Sequence, residues 1–187
     1  MRKTALFLTL ILTGHTMTGC ASPQPAAPGV EREAKLNRAD KAALKTARES
    51  GALVIVDKSD RRLTLYQSGR PVMAVEDIRF GNAPIGHKQV EGDERTPEGL
   101  YTIDARNPGS AYHLSLRINY PNPRDTARAT QSGVSPGGNI FIHGQPNGYD
   151  GAPIPTDWTD GCIALSNAEI EKLWAMVPDG TPIYIRR

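Results

Sequence analysis

A chain of 187 residues holds one ordinary domain with attachments, and its 39% apolar and 22% charged residues exclude disorder throughout. Eighteen glycines and fifteen prolines favour a turn-rich, β-containing fold over a helical bundle. The formal charge of +2 resides in Arg2 and Lys3 alone, so residues 21–187 are neutral, which excludes general nucleic-acid binding.

Residues 1–20 carry the parts of an export signal: Arg2-Lys3 followed by the apolar run from Ala5 to Leu12. That run is too short to be a permanent membrane-spanning helix. Met17-Thr18-Gly19-Cys20 resembles a bacterial lipoprotein cleavage box, with methionine where leucine is usual. The resemblance implies lipidation of Cys20, a membrane contact through that lipid anchor, and a periplasmic location. Ala21 lacks the aspartate associated with inner-membrane retention, which points to the outer membrane. Cys162 is then the one thiol left, and it has no cysteine partner.

Three parts follow: the signal at 1–20, a tether and charged helix at 21–50, and a folded domain at 51–187. Ser22 to Gly29 contains three prolines and no core-forming residue. Glu31 to Ser50 reads as a helix whose large apolar residues are Leu36 and Leu44, a thin face that predicts loose docking, with Gly51 ending it. From Ala52 the pattern turns to β. Leu53–Val56 is a buried-strand run, Arg61–Gln67 alternates, and Pro71–Phe80 continues in β-favouring residues. Further strands are expected at Gly99–Ala105, Leu114–Asn119, Asn139–His143 and Pro182–Arg186. The stretch Gly86–Gly99 is too charged for a core strand. Ser166 and Glu169 form a capping box ahead of Ile170, Leu173, Trp174 and Val177 at helical spacing, closed by Pro178 and Gly180. The expected fold class is mostly β, with one or two helices.

The chemistry concentrates in Asp157-Trp158-Thr159-Asp160-Gly161-Cys162-Ile163. A cysteine after glycine at a strand edge exposes backbone amides that can stabilise the oxyanion formed when sulfur attacks a carbonyl. It needs a base. His15 lies in the leader, His87 in the charged stretch and His113 near a turn, whereas His143 ends the apolar run Ile140-Phe141-Ile142 and precedes Gly144, a rigid mount. A metal site drawn from His113, His143, Asp160 and Cys162 is the rival reading, but its spacing matches no recurring zinc pattern. No metal or cofactor is expected.

Ile142-His143-Gly144, a loop and Thr159-Asp160-Gly161-Cys162 together resemble the L,D-transpeptidase catalytic domain (YkuD) family, whose motif is a histidine, a spacer and Ser/Thr-His-Gly-Cys. The segment Thr96-Pro97-Glu98-Gly99 is similar to that family's Thr-Pro-x-Gly, and Ser115–Pro121 also resembles its members. The resemblance implies a β-sandwich-like fold from about Leu53 to Ile185. It implies Cys162 as nucleophile and His143 as its base, with oxyanion-hole amides at Gly161, Cys162 and Asp160 and motif support from Thr159 and Gly144. The implied reaction is acyl transfer on peptidoglycan stem peptides of the meso-diaminopimelate type, through a thioester. An amine acceptor makes it a transpeptidase, water makes it a carboxypeptidase or endopeptidase, and a degenerate site would leave a binding lipoprotein. Arg95, Arg117 and Arg124 are candidate partners for substrate carboxylates; Asp125, Asp150 and Asp157 are candidates for its amine, and Trp158 for the groove wall. Two departures stand out. Asp160 replaces the family's second histidine and sets a carboxylate beside the nucleophile, and Ala164 replaces a common arginine.

Overall fold

The computed structural model describes residues 51–187 and, ahead of them, Lys41, Leu44, Lys45 and Glu49. The export signal, Cys20 and the proline-rich tether lie outside the described residues.

Eight strands form one sheet: β1 (Ala52–Asp57), β2 (Arg62–Gln67), β3 (Arg70–Val75), β4 (Gly99–Asn107), β5 (Ser115–Ile118), β6 (Phe141–His143), β7 (Ile163–Ala164) and β8 (Thr181–Arg186). Their spatial order is β3-β2-β1-β8-β4-β5-β6-β7. The β1–β8 and β6–β7 pairs are parallel, and the remaining pairs are antiparallel. Two helices accompany the sheet, α1 (Pro123–Gln131) and α2 (Asn167–Met176). The mostly β reading therefore holds, with the sandwich realised as a single curled sheet.

The continuous apolar run of β1 is explained by burial on both faces. Val54 and Val56 enter the main core with Leu63, Leu65, Ile103, Leu116, Ile142, Ile163 and Ile183. Leu53 and Ile55 point the other way, into a small cluster with Tyr184 and Leu44. Lys41, Leu44, Lys45 and Glu49 are helical. The thin apolar face read from the sequence thus amounts, among the described residues, to Leu44 docked on the outer side of β1 and β8.

The two ends of the sheet meet. After β3 the chain crosses to the opposite edge, where the Arg79 N–H donates to the Ala164 carbonyl (3.0 Å) and the Ala164 N–H donates back (2.8 Å). Edge strands expose unpaired backbone groups, and this strap satisfies those of β7.

Helix α2 begins as its capping box predicts: Ser166 accepts from the Glu169 N–H, and the Glu169 carboxylate accepts from the Ser166 N–H. Helix α1 was not foreseen. Asn122 and Asp125 build the same reciprocal cap there, with Pro123 at the first turn. Asp125, expected to face a substrate amine, is instead buried and accepts from Tyr101 Oη (2.9 Å), the Asn122 N–H (3.1 Å) and Arg128 Nη2 (2.8 Å).

The charged stretch 86–99 is irregular, as expected, but Lys88, Asp93 and Glu98 within it are engaged in ion pairs with little exposure. Lys58 Nζ, on a side chain only 3% exposed, donates to Gly86 O (2.5 Å), Thr96 O (3.1 Å) and Glu98 Oε1 (2.9 Å). Lys88, equally buried, donates to Val90 O (3.2 Å) and Asp93 Oδ1 (2.8 Å). His87 Nδ1 accepts from the Glu98 N–H (2.8 Å), and its Nε2 faces Asp125 and Arg128. Three separate clasps therefore fix a loop that has no apolar core of its own. Lys58→Met is expected to leave two carbonyls and a carboxylate without their donor, at a cost of about 2–4 kcal/mol. Urea unfolding should show this as a lowered midpoint at unchanged slope.

Candidate active site

Cys162 immediately precedes β7, and His143 ends β6. Their parallel pairing sets Ile142 opposite Ile163 and His143 opposite Ala164. Ile142 and Ile163 point into the core, so alternation along each strand turns His143 and Cys162 to the other face. The sequence pair predicted from residue type is thus mounted on adjacent strands, on one side of the sheet.

His143 is 3% exposed. Its Nδ1 lies 2.7 Å from the carbonyl of Gly144. A carbonyl can only accept, so Nδ1 carries the proton and Nε2 holds a free lone pair. Burial lowers the pKa of the ring from its ordinary value, with the Gly144 carbonyl pulling weakly the other way. The imidazole is therefore neutral at neutral pH, and able to accept a proton. A Cβ at Gly144 would sit 2.6 Å from Asn167 Oδ1 and 3.1 Å from His113 and Ile170, so a side chain there forces its neighbours to shift. This close packing fixes the carbonyl that orients the ring.

Cys162 is half-buried and free of any disulfide. Its thiol donates to the Asn139 carbonyl at 3.4 Å. Burial pushes its pKa up to about 11, and the Asp160 carboxylate adds to the rise; the Phe141 N–H and the charge of Lys88 oppose it. Asp160 is exposed, yet its charge acts against the thiolate in the direction its position suggests. The resting pair is thiol and neutral imidazole.

Thr159 links the loop to itself. Its Oγ1 donates to the Cys162 carbonyl (2.8 Å) and accepts from the Gly161 N–H (3.2 Å). The Gly161 amide is thereby engaged by Thr159 in this conformation, rather than left open for an oxyanion. Gly161 itself is dictated by space and backbone: its φ is +115°, and a Cβ would fall 2.5 Å from the Arg95 carbonyl. That contact is what the charged loop contributes to the site. The three arginines separate accordingly. Arg95 presents its backbone to Gly161, while its guanidinium lies over Gly86. Arg117 makes a two-pronged pair with Asp104 (2.8 and 3.0 Å) on the wall of an open cleft of about 400 Å³, which Asn139 also lines. Arg124 sits in the first turn of α1, exposed.

Asp157, an expected amine partner, is used within the fold. Arg61 grips it with two bonds of 2.7 Å, and its Oδ1 also accepts from the Phe80 N–H (3.0 Å). The Phe80 carbonyl accepts from the amides of Trp158 (3.0 Å) and Thr159 (3.1 Å), completing the clasp. Asp150 is exposed. His113 pairs with Glu171 (2.7 Å) rather than joining His143, Asp160 and Cys162 in a cluster. Sequence reasoning overlooked Tyr112, whose ring lies 4.6 Å from that of His143; a lone tyrosine in a Gly-Ser-rich turn carries no periodic signal.

A half-buried cysteine and a neutral imidazole whose Nε2 is free thus stand on one face of the sheet, next to a glycine-containing turn. The family model for the L,D-transpeptidase catalytic domain (YkuD) matches residues 51–185. The chain belongs to that family. It is 26% identical over 183 residues to the protein of Escherichia coli (strain K12) named Putative L,D-transpeptidase YafK, covering 95% of this chain and 64% of the relative. Among solved structures, the helical cell shape determining protein Pgp2 of Campylobacter jejuni superposes with a TM-score of 0.59 at 31% identity, over 73% of this chain and 49% of that one. Bd1075 of Bdellovibrio bacteriovorus gives 0.53 at 26% identity, over 75% and 49%. The chain thus spans 49–64% of the length of these relatives.

Burial raises the Asp157 carboxyl, but the Arg61 guanidinium and the Phe80 N–H outweigh it and hold its pKa below the usual value. The stability this supplies is present above about pH 4 and disappears as pH falls through the folded value. Asp157→Asn should therefore cost about 1–3 kcal/mol at pH 7, the range for hydrogen bonds to a partly screened charge. The deficit relative to wild type should shrink in acid, as followed by chemical unfolding between pH 7 and pH 3.

Proposed function

We propose that this chain is a cysteine acyltransferase acting on peptidoglycan stem peptides, with Cys162 as nucleophile and His143 as general base. One observation carries the reading: the Gly144 carbonyl holds the His143 Nδ1 proton, which leaves Nε2 as the acceptor on the face that bears the thiol. The thiol is un-ionised at rest, so attack and proton transfer are coupled. Sulfur bonds to the carbonyl carbon of the amide that follows an L-centre, as the S–H proton passes to Nε2. The resulting oxyanion is met by the amides of Asp160 and Cys162, and by that of Gly161 once its bond to Thr159 is given up. The imidazolium returns the proton to the leaving amine, terminal D-alanine, and a thioester remains on Cys162. An amine acceptor then yields a crosslink, and water yields a trimmed stem.

The proposal includes an exported protein tethered at Cys20 in the outer membrane, where this substrate is within reach. Its likeness to a Campylobacter protein named for helical cell shape supports a role in shaping the wall.

Purified protein incubated with defined tetrapeptide muropeptides should release D-alanine, and the masses of the remaining products identify the acceptor. Cys162→Ala is expected to reduce the rate to background, and His143→Ala to lower it by about 10²–10⁴-fold. A wild-type protein that leaves these substrates intact and is never acylated on Cys162 contradicts the proposal.

The pH dependence follows from the direction of the His143 shift. Activity requires the unprotonated ring, so it is present above the folded pKa and fades as pH falls through it. The acid limb should lie below about 6.5, the value of an unperturbed imidazole. Steady-state kcat/KM across the range of pH in which the protein stays folded measures it.

A further inference from the structure

The ring of His143 is held by two others. Tyr112 lies at 4.6 Å between centroids, tilted by 33°, and Trp158 at 5.4 Å, nearly edge-on at 69°. The two clamping rings stand 5.7 Å apart, so the three form a closed triangle. Neither aromatic belongs to a strand or helix. Each is anchored through its backbone close to the ring: the Gly144 N–H donates to the Tyr112 carbonyl (3.0 Å), and the Trp158 N–H to that of Phe80 (3.0 Å). The Trp158 Nε1–H is buried with no hydrogen-bond partner. No hydrogen bond within the protein holds the indole, and what it presents to His143 is its ring surface. Tyr112 is 40% exposed, and its face supplies a wall between the imidazole and solvent.

We propose that Tyr112 and Trp158 are positioning residues that fix the plane of the His143 imidazole, aim Nε2 along the sheet face toward Cys162, and keep water from the ring. This rests on His143 being the base, but its physical content is separate. A base that must stay neutral until the moment of attack needs two things: a set orientation, and a surrounding in which the charged form is poorly solvated. The Gly144 carbonyl fixes one ring nitrogen, but a single hydrogen bond leaves the ring able to swing about it. Faces of neighbouring rings remove that freedom and supply the apolar cover. The titratable groups near His143 are Tyr112 and His113 before β5, Cys162 and Asp160 before β7, and Glu171 on α2, which is occupied with His113. The causes that move the imidazole are burial and the Gly144 carbonyl, with no contribution from a charged side chain. Removing the aromatic cover should therefore act on the ring directly.

The experiment is an NMR titration of the His143 imidazole in the full chain, with its signal assigned by its loss in His143→Gln. In wild type the midpoint should fall below that of free imidazole. In Tyr112→Ala it should move up toward about 6.5, and the acid limb of kcat/KM should move by the same amount while kcat falls about ten-fold or more. Tyr112→Phe keeps the ring without the hydroxyl, and should restore the wild-type midpoint. Trp158→Phe should give an intermediate shift, and its unfolding curve separates this from a loss of fold. A His143 midpoint unchanged in Tyr112→Ala overturns the inference. So does a Tyr112→Phe midpoint as high as that of Tyr112→Ala, which would assign the effect to the hydroxyl. The midpoint is read without turnover, so a protein that processes no muropeptide yet shows the shift refutes the proposed reaction and leaves the clamp standing.

Discussion

The site depends on the closing of the sheet upon itself. β7 is two residues long, the edge of an eight-stranded order, and it follows directly on Cys162. A strand that short cannot hold its own position through one ladder. It is held from the far side by Arg79, whose backbone exchanges two hydrogen bonds with Ala164, and by the Arg61–Asp157 clasp just upstream. These bonds join the β1–β2 turn and the segment after β3 to the edge that carries Cys162. The rigidity of a curled β core is thus delivered to a cysteine that would otherwise sit on a free rim.

A second support comes from a loop that reads as solvated and is not. The stretch from Gly86 to Gly99 has almost no apolar content, yet it must bring the Arg95 carbonyl against Gly161. It is fixed by buried ammonium groups of Lys58 and Lys88 and by the contacts of His87 with Asp125 and Arg128. Charged groups serve as the interior of this part of the molecule, each provided with partners that offset its desolvation.

Most strands and α2 were legible because their signals are local: alternation, a continuous run for the doubly covered β1, and a reciprocal cap at Ser166; β3 ends at Val75 rather than running on to Phe80. Cys162 and His143 were legible through the family-like motifs around them, and the β6–β7 pairing turns both to one face of the sheet. Helix α1 carried a comparable signal in Asn122-Pro123 with Asp125, masked by the charged, apolar-poor composition of its remaining residues. What could not be read is what distance along the chain conceals. Nothing local marks Lys58 and Lys88 as buried, or assigns Asp157 to Arg61, 96 positions away. The same holds for Tyr112 and His143, which are brought together by the β5–β6 pairing rather than by proximity in sequence.

The high proton affinity of Cys162 has a bearing on durability. The thiolate is the form that attacks peroxides and disulfides, and a sulfur that stays protonated at rest reacts with them slowly. A thiol held in its protonated form by burial is slow to be oxidised or alkylated. Whatever draws on this sulfur must first take its proton away.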